Sequence, residues 1–188
     1  MADARTKEFK QLSFPEVVKY YSKLRSTLYE ELNSIYPLHR CGPISSSDAY
    51  QADKWRGIDQ NKNRYAWRWI DAYSAYNRKS SFKRFDLSIK RGSHIVGLSY
   101  GEPTVSKKSL KIDIIESTPY EEHKKDTRVF EIVSRAAQYY GILLGADEVR
   151  IMNPLSDDLV NYYCSYGYEY VEPMKRKLGV YCTMKIGV

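Results

Sequence analysis

A long helical pattern between two strand-like segments constrains the fold of this chain more than any other feature. From residue 129 to residue 144, apolar side chains recur every three or four positions, and Gly145 follows where the helix should end. Residues 110–114 and 149–152, on either side of it, have the character of short buried strands. A helix that connects two strands in this way places them in parallel, through a right-handed crossover. The sequence therefore predicts a βαβ unit.

Strands of a hairpin precede this unit. In residues 85–89 and 94–100 the side chains are mainly apolar and strand-like, and Arg91 and Gly92 mark the turn between them. Antiparallel strands added to a parallel pair give an α/β fold with a single mixed, mostly antiparallel twisted sheet and flanking helices. The other predicted elements are three helices, at residues 13–35, 64–78 and 156–167, and two closing strands, at residues 168–171 and 180–186.

Length and composition agree with one domain. A chain of 188 residues is of ordinary single-domain size, and 43% hydrophobic with 28% charged residues excludes a disordered chain. We expect a single domain over residues 1–188, in which residues 1–80 are the helical part and residues 81–188 form the sheet.

Other classes of protein are also excluded. The three cysteines, Cys41, Cys164 and Cys182, are odd in number and far apart, which argues against a disulfide scaffold and a zinc site. Residues 1–14 lack the apolar core of a signal peptide, and no apolar stretch approaches the ~20 residues that span a membrane. We expect a cytoplasmic protein with no metal and no membrane partner.

Three passages in the second half carry a more specific pattern. The first is the hairpin RFDLSIKRGSHIVGLSYG, residues 84–101, and the second is LKIDIIESTP, residues 110–119. The third, EVRIMNPLSDDLVNYYCSYGYEYV, has an Asn in its loop and the spacing Tyr-x-x-x-Gly-Tyr at the end of its helix. Over about residues 85–186, the chain resembles the GNAT superfamily of acyl-CoA-dependent N-acyltransferases.

The resemblance implies transfer of an acyl group, expected to be acetyl, from acyl-CoA to a primary amine without a metal. It implies that Tyr163 is the general acid that protonates the departing thiolate, and that Glu116, directly or through water, is the base. Residues 81–188 would then be the cofactor-binding part. The groups implied to hold acetyl-CoA lie near the end of the central strand, in a basic loop, at the start of the long helix and after the next strand: Ile115, Ser117, Lys124, Lys125, Thr127, Arg128 and Asn153.

The loop before the long helix departs from the family pattern Q/R-x-x-G-x-G/A. Residues 124–129 read KKDTRV, so both glycines are missing, and Asp126 adds a negative charge where phosphate should lie. Lys124, Lys125 and Arg128 can supply positive charge through their side chains instead. A GNAT-like binding module without catalytic activity is therefore an alternative.

The net charge of +7 favours an anionic partner. Trp55, Trp67 and Trp69 are interleaved with arginines, a mixture that suits stacking on bases and contact with phosphates, or equally a helix face packed on the sheet. A basic nucleic-acid-binding protein is thus a second alternative. The sequence leaves the amine acceptor open among a protein, a small molecule and an aminoacyl-tRNA, and it allows a homodimer.

Overall fold

The computed structural model describes residues 12–58, 67–124, 127–174 and 179–187. These residues form one sheet, whose strands are β1 (Arg40–Gly42), β2 (Phe85–Arg91), β3 (His94–Pro103), β4 (Ser109–Ser117), β5 (Glu148–Met152), β6 (Glu169–Val171) and β7 (Tyr181–Lys185). The strand order is β1-β2-β3-β4-β5-β7-β6. β4 and β5 are parallel, and the other neighbouring pairs are antiparallel. The predicted mixed, mostly antiparallel sheet is confirmed.

Helices cover both faces of this sheet. They are α1 (Phe14–Ile35), α2 (Ser46–Asp53), α3 (Trp69–Tyr76), α4 (Glu121–Lys124), α5 (Val129–Leu144) and α6 (Asp157–Ser165). On one face, here the α5 face, Leu28 of α1 and Ile132 of α5 are buried against strand residues such as Leu87. On the other, the α3 face, Ala49 of α2 and Trp69 of α3 are buried. Among the described residues, no helix has both the length and the apolar character needed to cross a membrane.

Local interactions explain where two of the elements begin. The backbone N–H of Ser13 donates to Glu16 Oε2 at 2.7 Å, which satisfies a donor at the start of α1. β1 lies between the two predicted N-terminal helices, where the sequence analysis placed no strand. Its position is fixed by Asn33 of α1, whose side chain accepts from the Cys41 N–H at 2.7 Å and donates to the Cys41 carbonyl at 3.0 Å. α3 begins at Trp69, and residues 59–66 lie outside the described part of the chain.

The parallel strands separate soon after they meet. After Ile112, β4 continues along β3, whereas β5 continues along β7. The separation coincides with a β-bulge, because Gly101 is opposite Ile112 and Tyr100 is opposite Ile114, which leaves Asp113 as the additional residue. A bulge bends its strand and re-aims nearby side chains. The result is an opening between the C-terminal ends of β4 and β5, called here the β4–β5 opening.

We expect that Gly101, at this bulge, tolerates no side chain. A Cβ atom at residue 101 would overlap the backbone carbonyl oxygen of Lys111. Gly101→Ala should lower the free energy of unfolding by about 1–3 kcal/mol, as overpacking does. At ~2–4 °C per kcal/mol, thermal unfolding followed by circular dichroism should show a fall of roughly 2–12 °C. Gly42→Ala is the matched control, since no described atom lies within 4 Å of a Cβ there. Coincident melting curves would contradict the bulge geometry.

Candidate active site

β4 directs different side chains to the two faces beside the opening. Ile115 packs toward the α5 face, whereas Ile114 packs toward the α3 face. Glu116 is opposite Leu98 of β3, which is buried on the α3 face, and Ser117 ends the strand. The last residues of β4 therefore border the opening with their backbone and present Glu116 to the α3 face.

Two tryptophans hold the carboxylate of Glu116. The indole N–H of Trp69, at the start of α3, donates to Glu116 Oε2, and the indole N–H of Trp67 donates to the same oxygen at 3.4 Å. Trp69 is 1% exposed, and a buried indole N–H needs an acceptor. The sequence analysis assigned these tryptophans to packing or to base stacking and did not connect them with Glu116. The sequence held one indication of this contact, because the indole N–H of a buried Trp needs a hydrogen-bond acceptor.

A second carboxylate on the same face was not predicted from the sequence. The Tyr76 hydroxyl donates to Asp113 Oδ2 at 2.8 Å, and the Tyr76 ring stacks on Tyr100 with 4.6 Å between centroids. Burial raises the pKa of Asp113, while the hydrogen bond from Tyr76 and the charge of Lys111 oppose that rise. Asp113 is the bulge residue, so the bulge and α3 position this carboxylate together.

Tyr163 lies on the α5 face, against the first turn of α5. Its ring stacks on Phe130 with 4.7 Å between centroids, and the residue is 8% exposed. Burial, with smaller contributions from Cys182 and Tyr168, raises the pKa of Tyr163 to about 12. The hydroxyl is therefore protonated at neutral pH and can donate a proton.

The start of α5 has a conformation that suits an anion. Arg128, the residue before the helix, is left-handed with φ +46°, and its side chain makes no capping hydrogen bond. N–H groups of an uncapped first turn carry partial positive charge. Glycine adopts the left-handed conformation most readily, so the glycine-free loop still makes a turn of the kind that glycine favours. Thr127 is buried here, Lys124 ends α4, and Lys125 lies outside the described residues.

Gly97 allows this helix start to lie close to the sheet. A Cβ atom at residue 97 of β3 would lie 2.5 Å from Cγ1 of Val129, the first residue of α5. Beside it, the Thr118 N–H donates to the Val96 carbonyl at 2.9 Å, which joins the end of β4 to β3. The helix start and the end of β4 are therefore held at the same edge of the sheet.

Asn153 follows β5 on the other side of the opening. It is exposed and left-handed, with φ +48°, and its backbone N–H donates to the Val180 carbonyl at 2.8 Å. Its side chain lies against Gly179, where a Cβ atom would overlap the Asn153 amide oxygen. The position at the end of β5 is the predicted one, and the amide packs on the turn before β7.

Solved structures share the fold of this chain, although no family model matches the sequence and no curated protein matches it. Ard1 from Thermoplasma volcanium matches with a TM-score of 0.59 and 11% identity, over 80% of this chain and 99% of that one. The ribosomal-protein-S18-alanine N-acetyltransferase from Escherichia coli matches with a TM-score of 0.59 and 7% identity, over 80% of this chain and 95% of that one. The spermidine N-acetyltransferase from Vibrio cholerae, in complex with CoA and spermine, matches with a TM-score of 0.58 and 12% identity, over 79% of this chain and 96% of that one.

The chain has the GNAT fold. The predicted resemblance to the GNAT superfamily is thereby confirmed at the level of the fold. In this GNAT fold, Tyr163 and the start of α5 lie on one face near the β4–β5 opening, and Glu116 lies on the other. A buried tyrosine hydroxyl, a carboxylate held by two tryptophans and an uncapped helix start therefore lie at this part of the fold.

His39 approaches the same helix start from the loop after α1. It is 9% exposed, its ring hydrogen-bonds to the Thr127 backbone, and its Nε2 has no hydrogen-bond partner among the described residues. Burial, followed by the charges of Arg91 and Arg128, lowers the pKa of His39. An uncharged imidazole is therefore favoured beside the start of α5.

The lowered pKa of His39 should make the folded protein less stable in mild acid. Below about pH 6.5, the unfolded chain takes up the His39 proton more readily than the folded chain does, so the free energy of unfolding falls. We predict that His39→Gln removes part of this fall between roughly pH 6.5 and 5, by about 1 kcal/mol or less, in urea unfolding at a series of pH values. The wild-type protein, measured in the same series, gives the reference slope. An unchanged slope in His39→Gln would contradict the assignment.

Proposed function

We propose that this protein is an N-acyltransferase that transfers an acyl group, in its simplest form acetyl, from acyl-CoA to a primary amine. The observation that carries the proposal is the β4–β5 opening with Tyr163, Glu116 and the start of α5 around it. Several structures of this fold are named as N-acetyltransferases, among them enzymes named for spermidine and for the alanine of ribosomal protein S18. Their names support an amine as the acceptor.

Acyl-CoA is proposed to occupy the opening from the side of α5. The first N–H groups of α5 are suited to the pyrophosphate, because a helix start attracts anions. Arg128 adds positive charge at this position, and the backbone of Ile115 and Ser117 is proposed to pair with the pantetheine arm. Further contacts are proposed for the remaining loop and turn residues, Lys124, Lys125, Thr127 and Asn153.

The proposed reaction is direct attack by the amine on the thioester. A C–N bond forms as the C–S bond breaks, and the electron pair of the C–S bond leaves with the thiolate. Tyr163, protonated because of its high pKa, donates its proton to that thiolate. Glu116, or a water that it orders, accepts the proton of the amine, and its hydrogen bonds from the two tryptophans keep the carboxylate oriented. Proton exchange with solvent then restores both groups.

We further propose that the whole chain acts as one domain. In this arrangement, residues 81–188 carry the cofactor side and residues 1–80 shape the acceptor side through α2 and α3, which lie on the face of Glu116.

The first test is calorimetric titration with acetyl-CoA, CoA and desulfo-CoA. We expect micromolar binding, and about tenfold weaker binding by Arg128→Gln, because a charge-assisted hydrogen bond contributes roughly 1.5–3 kcal/mol. Arg78→Gln, at an exposed arginine after α3, is the matched control and should bind as the wild type does.

The outcomes separate the alternatives. The absence of binding at millimolar acetyl-CoA would refute the acyltransferase proposal. The lack of glycines in the loop before α5 would then explain why the cofactor does not bind. Binding of acetyl-CoA without acyl transfer to any amine in a broad panel would favour the inactive binding module.

Tyr163→Phe is the variant that tests the proposed acid. We expect kcat to fall by about 10²–10³-fold with little change in the affinity for acetyl-CoA, because the ring and its packing on Phe130 remain. Tyr162→Phe, at a half-exposed tyrosine on the same helix, should retain its kcat. Steady-state kinetics on both variants decides the point, and an unchanged kcat in Tyr163→Phe would exclude this residue as the acid.

A further inference from the structure

A cleft of about 550 Å³ opens on the α3 face. This volume lies within the range of small-molecule sites, which is roughly 300–1,000 Å³. One wall comes from α2 and the 3₁₀ turn after it, and the other from the start of β3 and the segment after β4; we call it the α2–β3 cleft. Its described lining is Ser47, Tyr50, Gln51, Lys54, Trp55, His94, Ile95, Tyr120, Glu122 and His123.

Aromatic rings make up much of this lining. The His94 and His123 rings stack with 4.1 Å between centroids, and Tyr120 meets His123 edge-on at 6.0 Å. Trp55 is 3% exposed and lies within the core, whereas Tyr50 is 62% exposed at the rim. Rings at both the base and the rim favour a flat guest that can stack.

The rim of the cleft carries a positive charge next to an aromatic ring. Lys54 Nζ lies 5.4 Å from the centroid of the Tyr50 ring, so its cation stands at the aromatic rim. The two imidazoles can each take part in hydrogen bonds, and the carboxylate of Glu122 offsets the Lys54 charge elsewhere in the described lining. The net charge of +7 adds a positive field. A flat guest that carries negative charge meets both requirements.

The cleft is close to the acidic side of the candidate active site. Glu116 is opposite Leu98, and Ile95 of the cleft lies three residues earlier on the same strand. Both Leu98 and Ile95 are buried on the α3 face, and three residues of a strand span about 10 Å. A molecule with its amine at Glu116 would therefore need to span about 10 Å to place its other end in the cleft.

We propose that the α2–β3 cleft binds the distal part of the amine acceptor, and that this part is a planar aromatic group with negative charge, of the chemistry of a nucleoside monophosphate. The link to the acceptor rests on the proposed acyl transfer, whereas the binding specificity of the cleft can be tested without it. The same chemistry is present in a free nucleotide and at the end of an RNA strand.

The three histidines of the chain provide the measurement. The ring Cε1–H signals of His39, His94 and His123 are assigned in NMR spectra with the single Gln variants and are followed during titration with AMP. We expect the signals of His94 and His123 to shift saturably while that of His39, outside the cleft, stays constant. Adenosine, inorganic phosphate and benzylamine should each bind more weakly than AMP, since adenosine and benzylamine lack the negative charge and phosphate lacks the aromatic ring. A tetranucleotide RNA shows which source of the group binds better.

Two variants test the walls of the cleft. Tyr50→Ala removes an exposed ring, so folding should be unaffected, and AMP should bind about tenfold more weakly because stacking on one base contributes ~1–3 kcal/mol. Lys54→Gln should weaken AMP about fivefold, whereas Lys111→Gln, whose amine lies 3.4 Å from Glu102, should leave the affinity unchanged.

Three results would overturn the proposal. The first is the absence of a saturable shift with millimolar AMP, and the second is benzylamine binding as tightly as AMP. The third is loss of AMP binding when CoA saturates the protein, because the cleft would then bind the nucleotide end of CoA. AMP binding that persists with CoA supports it. If CoA does not bind at all, the acyltransferase proposal fails, while the AMP titration still decides what the cleft accepts.

Discussion

The separation of β4 from β5 after Ile112 is the constraint on which the candidate site depends. A strand end that leaves its parallel neighbour presents backbone N–H and C=O groups that need other partners, and these groups can serve a ligand as well as a strand. The bulge at Asp113 coincides with the separation, and the two carboxylates of the bulged strand receive hydrogen bonds from aromatic residues before and within α3. The loss of hydrogen bonding between β4 and β5 and the two held carboxylates therefore both arise where β4 bends at the bulge.

The two faces of the sheet supply different chemistry to the same edge. On the α5 face, a buried tyrosine and an uncapped helix start lie together, so a proton donor stands beside a position that favours negative charge. On the α3 face, the acids are held by aromatic side chains that bury their rings and direct one polar atom each to a carboxylate. Tyr76, one of the 18 tyrosines of the chain, is used in this way on the α3 face.

The sequence predicted the elements whose signal is periodic, and it failed where the signal is an interaction between distant residues. The period of α5 and the hairpin pattern depend on neighbouring positions, so both were found. β1 is short and is held in place by the Asn33 side chain, so its own residues carry no alternating pattern that predicts a strand. The bond from Trp69 to Glu116 joins residues 47 apart in the chain, and the bulge at Asp113 leaves no trace in the alternation of β4. The motif located Tyr163 on its helix, and the roles assigned to it and to the loop residues remain predictions.

The close approach of Gly97 to Val129 has a consequence for how sequences of this shape can diverge. Because Gly97 has no side chain, the Cγ atoms of Val129 occupy the space that a Cβ atom at residue 97 would fill. The two positions therefore share one volume. A larger residue at 97 requires a smaller one at 129, or a helix start lifted away from the sheet and from the end of β4. Substitutions at these two sites, 32 residues apart in number, should therefore be inherited as compensating pairs. Such covariation would mark homologues that keep the helix start in place for a ligand, however little else of their sequence they share.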